Sequence, residues 1–329
     1  MGINHTKQIY AGLLGAIILA SAGAGVSERQ RYIPLWQDEP ARIYTGAPDT
    51  EDTAPPGGLP EFPGRGVTYT YSYASYKDRV TSDICSNSPL SEYLADQFVN
   101  HAEEFSIRDF PGAINASALL DAVCEAYYQN NAYIGGIELN QIRVNFDTMT
   151  IRIPYVLSAG EQQQLQKEIA SAADSIAAQI ITPGMSDFQK EEAICDYFYT
   201  NAKFDFAARD NLACLPKGLM ISYTYKYSQT AYGVLINHTG VCQSYAEAFK
   251  LIADSAGLPC IVVTGVINGA GSHMWNRVYI NDQWKTLDVT NSGAMSDDNV
   301  FINMSEETVA KYFTEDNLYV LDNALYRYR

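Results

Sequence analysis

The feature that most constrains the fold is an amphipathic segment that begins at Cys242. Large and small apolar residues recur along it at helical spacing and would face a core: Tyr245, Phe249, Ile252 and Ala256. Gly257 and Pro259 follow in the order that is usual at a helix C-terminus. The pattern predicts a helix that starts at Cys242, so the cysteine lies at the helix N-terminus.

Strand-forming runs follow this helix. Ile261–Val266 is a β-branched run, and two further runs, His273–Ile280 and Gln283–Thr290, flank the dipeptide Asn281-Asp282. Two such runs separated by two turn-forming residues predict an antiparallel hairpin. The segment therefore predicts a helix that packs on an antiparallel sheet.

The hairpin fixes which side chains can meet. A two-residue loop places Ile280 opposite Gln283 and, counting back, Trp275 opposite Asp288. His273 lies two residues from Trp275, so it shares a face with Asp288 as a diagonal neighbour. A register slip of one residue would put them on opposite faces. We expect the helix that carries the cysteine to pack on the face that bears His273 and Asp288.

These three residue types suit nucleophilic catalysis. Unpaired N–H groups and the dipole at a helix N-terminus favour a thiolate at Cys242 and can stabilise an oxyanion. An imidazole can take the thiol proton, and a carboxylate can orient the ring. His273 is the only histidine after Cys242. His238, four residues before the cysteine, stays open as an alternative base, although nothing comparable orients it.

Each residue also has a structural explanation. A cysteine before a helix is more often buried or in a disulfide, a histidine in a strand is more often a satisfied polar group, and Asp288 could cap a turn or pair with Arg277. Taken together, their order and the predicted elements favour a catalytic triad of Cys242, His273 and Asp288.

Three ordered blocks of residues carry a family resemblance. They are Gly240-Val241-Cys242-Gln243 with Tyr245-Ala246, then His273-Met274-Trp275-Asn276-Arg277-Val278, then Trp284 with Leu287-Asp288-Val289-Thr290. The segment Ala231-Tyr232-Gly233-Val234-Leu235 precedes the first block and also matches the family. These blocks resemble the bacterial transglutaminase-like superfamily over roughly residues 186–315. The resemblance implies a papain-like α+β fold with a cysteine-bearing helix packed on an antiparallel sheet. It also implies that Cys242 is the nucleophile, His273 the general base and acid, and Asp288 the orienting carboxylate.

The sequence departs from the family pattern near the triad. Ser244 replaces a common glycine, Met274 a common alanine and Asn291 a frequent tryptophan. These departures concern the substrate pocket, for which Trp275 and Gln243 are candidate binding residues. No metal or nucleotide motif occurs, and Asp297-Asp298 lacks the spacing of a calcium loop, so we expect no cofactor.

The rest of the chain predicts further units. Residues 1–24 hold an apolar run typical of a signal peptide or an N-terminal anchor, and residues 25–66 form a proline-rich linker. Residues 67–182 predict a smaller N-terminal α+β domain, and residues 183–329 the transglutaminase-like domain. The predicted elements are a strand over Val67–Tyr73, helices over 88–105 and 116–130, a hairpin around Asp147-Thr148, capping boxes at Ser158 and Ser186, and an irregular stretch over 203–229.

Charge and cysteine content narrow the class of protein. The net charge of −16 argues against nucleic-acid binding, because phosphates require cations. Six cysteines in an exported chain suggest disulfides, and at least one stays unpaired if Cys242 is a nucleophile.

Two functions remain open. One is an exported thiol enzyme, secreted or at the cell surface, that acts on amide bonds of peptides or proteins, including those associated with the cell wall. It would touch a membrane only through an uncleaved N-terminal segment. The other is a non-catalytic cell-surface binding or adhesion module on the same scaffold. Rapid, pH-dependent alkylation of Cys242 would separate them.

Overall fold

The computed structural model describes residues 33–34, 86, 88–110, 113, 115–214, 225–268, 271–290 and 301–316. The helices in these ranges are α1 Pro89–Val99, α2 Ala116–Ile134, α3 Ala159–Ile180, α4 Asp187–Asn201, α5 Phe206–Cys214, α6 Ala231–Leu235, α7 Cys242–Ser255 and α8 Glu306–Tyr312. The strands are β1 Ile33–Pro34, β2 Glu104–Ser106, β3 Arg143–Asn145, β4 Thr150–Arg152, β5 Lys203–Phe204, β6 Thr239–Gly240, β7 Cys260–Ile267, β8 Gly271–Ile280, β9 Gln283–Leu287 and β10 Phe313–Glu315. The apolar run before residue 25 and the strand predicted over Val67–Tyr73 lie outside the described residues.

An antiparallel sheet in the order β10-β7-β8-β9 contains the predicted hairpin. Ile280 pairs with Gln283 and Asn276 with Leu287, which confirms the predicted register as far as β9 extends. Asn281 and Asp282 adopt φ values of 51° and 59°. Two consecutive left-handed residues are typical of the type I′ turn that joins two-residue hairpins, and short polar side chains tolerate this conformation.

The two faces of this sheet are covered by different elements. On one face, Val262 and Met274 pack with Ala246 of α7. On the other face, the side chains of Ile261, Val263 and Trp275 pack with residues of and around α8: Met304, Val309 and Phe313. Alternate residues of β7 and β8 therefore serve two separate apolar layers.

A second antiparallel sheet, in the order β1-β3-β4-β2, lies in the N-terminal part. The sequence predicts a helix over 88–105, but α1 ends at Val99, because His101 turns the chain with a φ of 59°. Residues Glu104–Ser106 form the strand β2, which pairs with β4. The structure also differs from the predicted linker at Ile33–Pro34, which pairs with Arg143–Val144 of β3.

Helix boundaries follow the capping residues. Ser158 and Ser186 each form the predicted capping box, with Glu161 and Gln189 respectively. The stretch 203–229 is less irregular than predicted, since β5 and α5 lie within it. Asp205 accepts a hydrogen bond from the Ala208 N–H (2.9 Å), an N-capping interaction that the sequence interpretation missed.

One hydrophobic cluster joins the N-terminal helices to α7 and the sheet β10-β7-β8-β9. Its buried members extend along the chain from Leu94 in α1 to Val289 after β9. It therefore includes residues on both sides of the domain boundary predicted at residue 182. Within the described residues, no helix combines the length and the apolar character that crossing a membrane requires.

Glu191 of α4 is a buried carboxyl whose titration should affect stability. It is 0% exposed, and burial raises its pKa to about 7 although Asn303 Nδ2 donates a hydrogen bond to Oε2 (2.5 Å). The folded state therefore binds more protons than the unfolded state between pH ~4.5 and ~7, so stability falls as pH rises through that window.

We expect Glu191→Gln to remove this loss. The amide oxygen can still accept the bond from Asn303, but the side chain does not ionise. The free energy of unfolding of the variant should exceed that of the wild type at pH 8 by up to about 3 kcal/mol, and the difference should largely vanish at pH 4. Urea denaturation at both pH values measures this, and parallel pH profiles for the two proteins would contradict it.

Candidate active site

Cys242 is the first residue of α7 and is partly exposed. The preceding residue, Val241, is the N-cap and contributes no side-chain hydrogen bond to the helix start. Its own N–H donates to the carbonyl of Ser228 (2.9 Å), which holds the chain at the entry to the helix. The dipole and the first N–H groups of α7 therefore lie beside the thiol, as the sequence predicts.

Ser244 holds the start of α7 against α6. Its hydroxyl donates to the Thr230 carbonyl (2.5 Å) and accepts from the Val234 N–H (3.0 Å). A Cβ added at Gly233 would lie 2.7 Å from the Ser244 Oγ, and a Cβ added at Gly240 would lie 2.5 Å from it. Glycine at both positions therefore lets the backbone approach this serine closely. The departure from the family glycine thus has a structural role, because Ser244 is fully buried.

His273 and Asp288 form the ion pair expected from the hairpin register. Nε2 of the imidazole lies 2.8 Å from Oδ2 of the carboxylate, and Asp288 is 0% exposed. The second oxygen, Oδ1, accepts the N–H of Thr290 (3.1 Å), and the Asp288 N–H donates to the Phe301 carbonyl (2.8 Å). Backbone groups of Thr290 and Phe301 thus hold Asp288 in place, and its carboxylate in turn orients the imidazole.

The charge state of His273 follows from its neighbours. Burial alone would lower the pKa of the imidazole, but the negative charges of Asp288 and Cys242 and hydrogen bonds to both outweigh it. The pKa of His273 is raised well above its ordinary value. Since Nε2 faces Asp288, Nδ1 is the nitrogen left for the thiol. The arrangement favours an imidazolium–thiolate pair.

The sequence predicts that α7 packs on the sheet face that bears His273 and Asp288, and the structure corrects this expectation. The helix packs on the face of Val262 and Met274, whereas His273 belongs by alternation to the opposite face with Trp275. The thiol can still meet the imidazole because β8 continues beyond the paired end of β9, which stops at Asn276↔Leu287. His273 therefore lies at an open corner of the sheet, next to the N-terminus of α7.

Trp275 does not line a substrate site. The indole is 1% exposed and packs against Phe313 (ring centroids 4.8 Å apart), with the His273 ring 6.1 Å away on the other side. A buried side chain of this kind cannot contact a substrate in this conformation. It serves as the apolar support beneath the imidazole.

Gln243 turns toward the protein interior. Its Nε2 donates to Oε1 of Glu247 (2.9 Å), and Oε2 of Glu247 accepts the N–H of Ala231 (3.0 Å). Burial raises the pKa of Glu247 to about 8, although both hydrogen bonds oppose the shift. In this conformation Gln243 bonds to Glu247 within α7, and Glu247 links α7 to α6. The role of Gln243 in substrate binding stays a prediction.

His238, the alternative base, does not share the surroundings of His273. His238 is exposed and has a left-handed φ of 55°, and its carbonyl accepts the N–H of Lys203 (2.9 Å). The structure brings His273, and not this residue, into contact with Asp288. Cys124, Cys195 and Cys242 are free thiols, whereas Cys85 and the side chain of Cys214 lie outside the described residues.

Residues 174–289 match the family model of the core of the transglutaminase-like superfamily. This part of the chain is a transglutaminase-like core, and the mixed α+β fold is confirmed. The match contains Cys242, His273 and Asp288, the candidate triad, and begins within α3.

Solved structures show a more distant likeness. A TGase aligns at 20% identity and a TM-score of 0.32, covering 40% of this chain and 32% of its own. A candidate cysteine protease from Cytophaga hutchinsonii aligns at 16% identity and a TM-score of 0.28, covering 43% and 44%. The periplasmic domain of TgpA from Pseudomonas aeruginosa aligns at 16% identity and a TM-score of 0.26, and the alignment covers 46% of this chain and 57% of that structure. The alignments thus span well under two thirds of these structures, and no curated protein matches the chain.

The raised pKa of His273 predicts the reactivity of the thiol. A protonated imidazole next to Cys242 attracts the negative charge of a thiolate and so favours reaction of this thiol. We expect iodoacetamide to alkylate Cys242 at pH 6 about ten times faster in the wild type than in His273→Gln. Peptide mapping by mass spectrometry measures this, with the buried Cys124 and Cys195 as internal controls. Equal rates in both proteins would contradict the ion pair.

Proposed function

We propose that this chain is an exported transglutaminase-like thiol enzyme that acts on amide bonds of peptides or proteins. The observation that carries the proposal is the His273 imidazole, which is bonded to the buried Asp288 and contacts the thiol at the start of α7. These are the parts that an acyl-transfer mechanism needs: a nucleophile, an acid–base group and an orienting carboxylate.

The first half-reaction breaks the amide bond. The Cys242 thiolate attacks the carbonyl carbon, and the oxygen takes the negative charge next to the backbone N–H groups at the α7 N-terminus. The His273 imidazolium then gives its proton to the leaving nitrogen as the C–N bond breaks. The products are a free amine and a thioester on Cys242. Asp288 keeps Nε2 of the imidazole bonded, so Nδ1 does the proton transfer.

The second half-reaction releases the acyl group. Water or an amine loses a proton to the neutral imidazole and attacks the thioester carbon, and the thiolate leaves. Water gives hydrolysis, whereas an amine gives a new amide and therefore a cross-link. The triad serves both reactions equally, so the acceptor decides the outcome.

The cellular context belongs to the same proposal. The apolar run Ala11–Ala24 supports export, and export supports peptide or protein substrates at the cell surface. Expression of the full chain with N-terminal sequencing of the product in the medium and in the membrane fraction tests this. A chain that stays in the cytoplasm with its first residues intact would contradict it.

An acyl-transfer assay tests the reaction itself. The protein is incubated with a peptide library and an isotope-labelled primary amine, and mass spectrometry reads hydrolysed and amine-capped products. We expect Cys242→Ala to abolish both products while the thermal transition moves little, because a small residue is tolerated at the helix start. Product formation by this variant would remove Cys242 as the nucleophile. Absence of product and of alkylation in the wild type would favour a binding module.

The role of Asp288 has its own test. Asp288→Asn can donate a hydrogen bond to the imidazole and favour the wrong tautomer, so we expect turnover to fall by about 10³ to 10⁴. The variant still accepts the Thr290 N–H through its amide oxygen, so the fold should persist. Steady-state kinetics and thermal denaturation are compared side by side. A parallel loss of activity and stability would indicate a structural role for the carboxylate.

A further inference from the structure

Three consecutive residues of α2 reach the catalytic centre from outside the transglutaminase-like core. They are Tyr127, Tyr128 and Gln129, whereas the family match begins at residue 174. Gln129 is buried, and its Nε2 donates to the carbonyl of Val262 in β7 (2.6 Å). This bond fixes α2 directly to the sheet that carries His273.

Tyr127 fixes the same segment to the helix that carries the thiol. It is buried, and its hydroxyl hydrogen-bonds the side chains of Gln243 and Asn131. Burial raises the pKa of Tyr127, so the phenol stays neutral. Its ring contacts that of Tyr128 edge to face, with centroids 5.1 Å apart. Tyr128 is therefore held between two anchored neighbours.

Tyr128 and the nucleophile share one apolar cluster. The interior of this cluster consists of Ala246, Val262 and Met274, each at most 5% exposed. Cys242 and Tyr128 are its two partly buried members and pack against that interior. The thiol and the phenol ring therefore form the exposed rim of the same cluster. A substrate whose carbonyl reaches Cys242 can therefore place a neighbouring group against this ring.

We propose that Tyr128 is a specificity-determining residue of the acyl-donor site and selects an aromatic or large apolar side chain next to the reacting carbonyl. This inference rests on the proposed function of Cys242. Contact between the Tyr128 ring, the apolar cluster and an apolar substrate side chain would make binding more favourable, because it removes apolar surface of both molecules from water. A polar side chain in the same place would lose its hydration without a matching partner.

Thiol-directed probes test this without knowledge of the natural substrate. Two peptidyl chloromethyl ketones, with Phe or with Ser next to the reactive carbon, are compared with iodoacetamide, which carries no side chain. We expect the Phe probe to inactivate the wild type about tenfold faster than the Ser probe. Tyr128→Ala should lose this preference and Tyr128→Phe should keep it. Each rate is divided by the rate of the same protein with iodoacetamide, which corrects for any change in the reactivity of the thiol.

Control variants separate the possible failures. Tyr199→Ala removes a tyrosine that is 56% exposed on α4 and should retain the preference. If Tyr128→Ala unfolds, Tyr128→Leu preserves the contact with the apolar cluster and should still reduce the preference. Equal rates for the two probes in the wild type, or a preference that survives in the folded Tyr128 variants other than Phe, would overturn the assignment. Failure of iodoacetamide to label Cys242 would instead reject the proposed function.

Discussion

The buried carboxylate of Asp288 is the interaction on which the catalytic arrangement depends. A carboxylate removed from water is costly unless hydrogen bonds and an opposite charge compensate it. Here the Thr290 N–H and the His273 imidazole supply both. The same attraction raises the pKa of His273 and keeps the ring charged, so burial of one acidic group determines the protonation of its neighbour.

The nucleophile is positioned by hydrogen bonds that do not involve the triad. Ser244 joins α7 to α6, and Asn276 donates from β8 to the carbonyls of Ala246 (2.9 Å) and Ile261 (3.2 Å). Because Asn276 is fully buried, these bonds act at low effective dielectric and tie helix to sheet. The start of α7 is thus held against α6 and against the sheet, and the thiol lies at the open corner beside His273.

Local patterns in the sequence were sufficient to predict the hairpin and the contact between His273 and Asp288. Asn281 and Asp282 define a turn, and a turn of known length defines the register of both strands. The capping boxes at Ser158 and Ser186 were predictable for the same reason, because their partners lie three residues away.

Features that depend on distant residues were missed. Alternation shows that Trp275 shares a face with His273, but not whether α7 or α8 covers that face. The indole packs on Phe313, which belongs to a strand far along the chain, so its burial had no local signal. Asp205 is different, since an aspartate three residues before Ala208 is an N-cap signal that sequence reasoning can use.

The N-terminal helices and the transglutaminase-like core share the largest hydrophobic cluster of the described residues. Residues 174–289 contain the candidate catalytic residues Cys242, His273 and Asp288, and the Phe301 carbonyl beyond this segment helps to hold Asp288. The N-terminal helices share the same hydrophobic cluster, so α2 is held against β7 and α7 instead of moving as a separate body. A helix that packs this closely has its side chains at the edge of the active site. Tyr128 is therefore in a position to change which substrates fit while the triad, and with it the chemistry, stays the same.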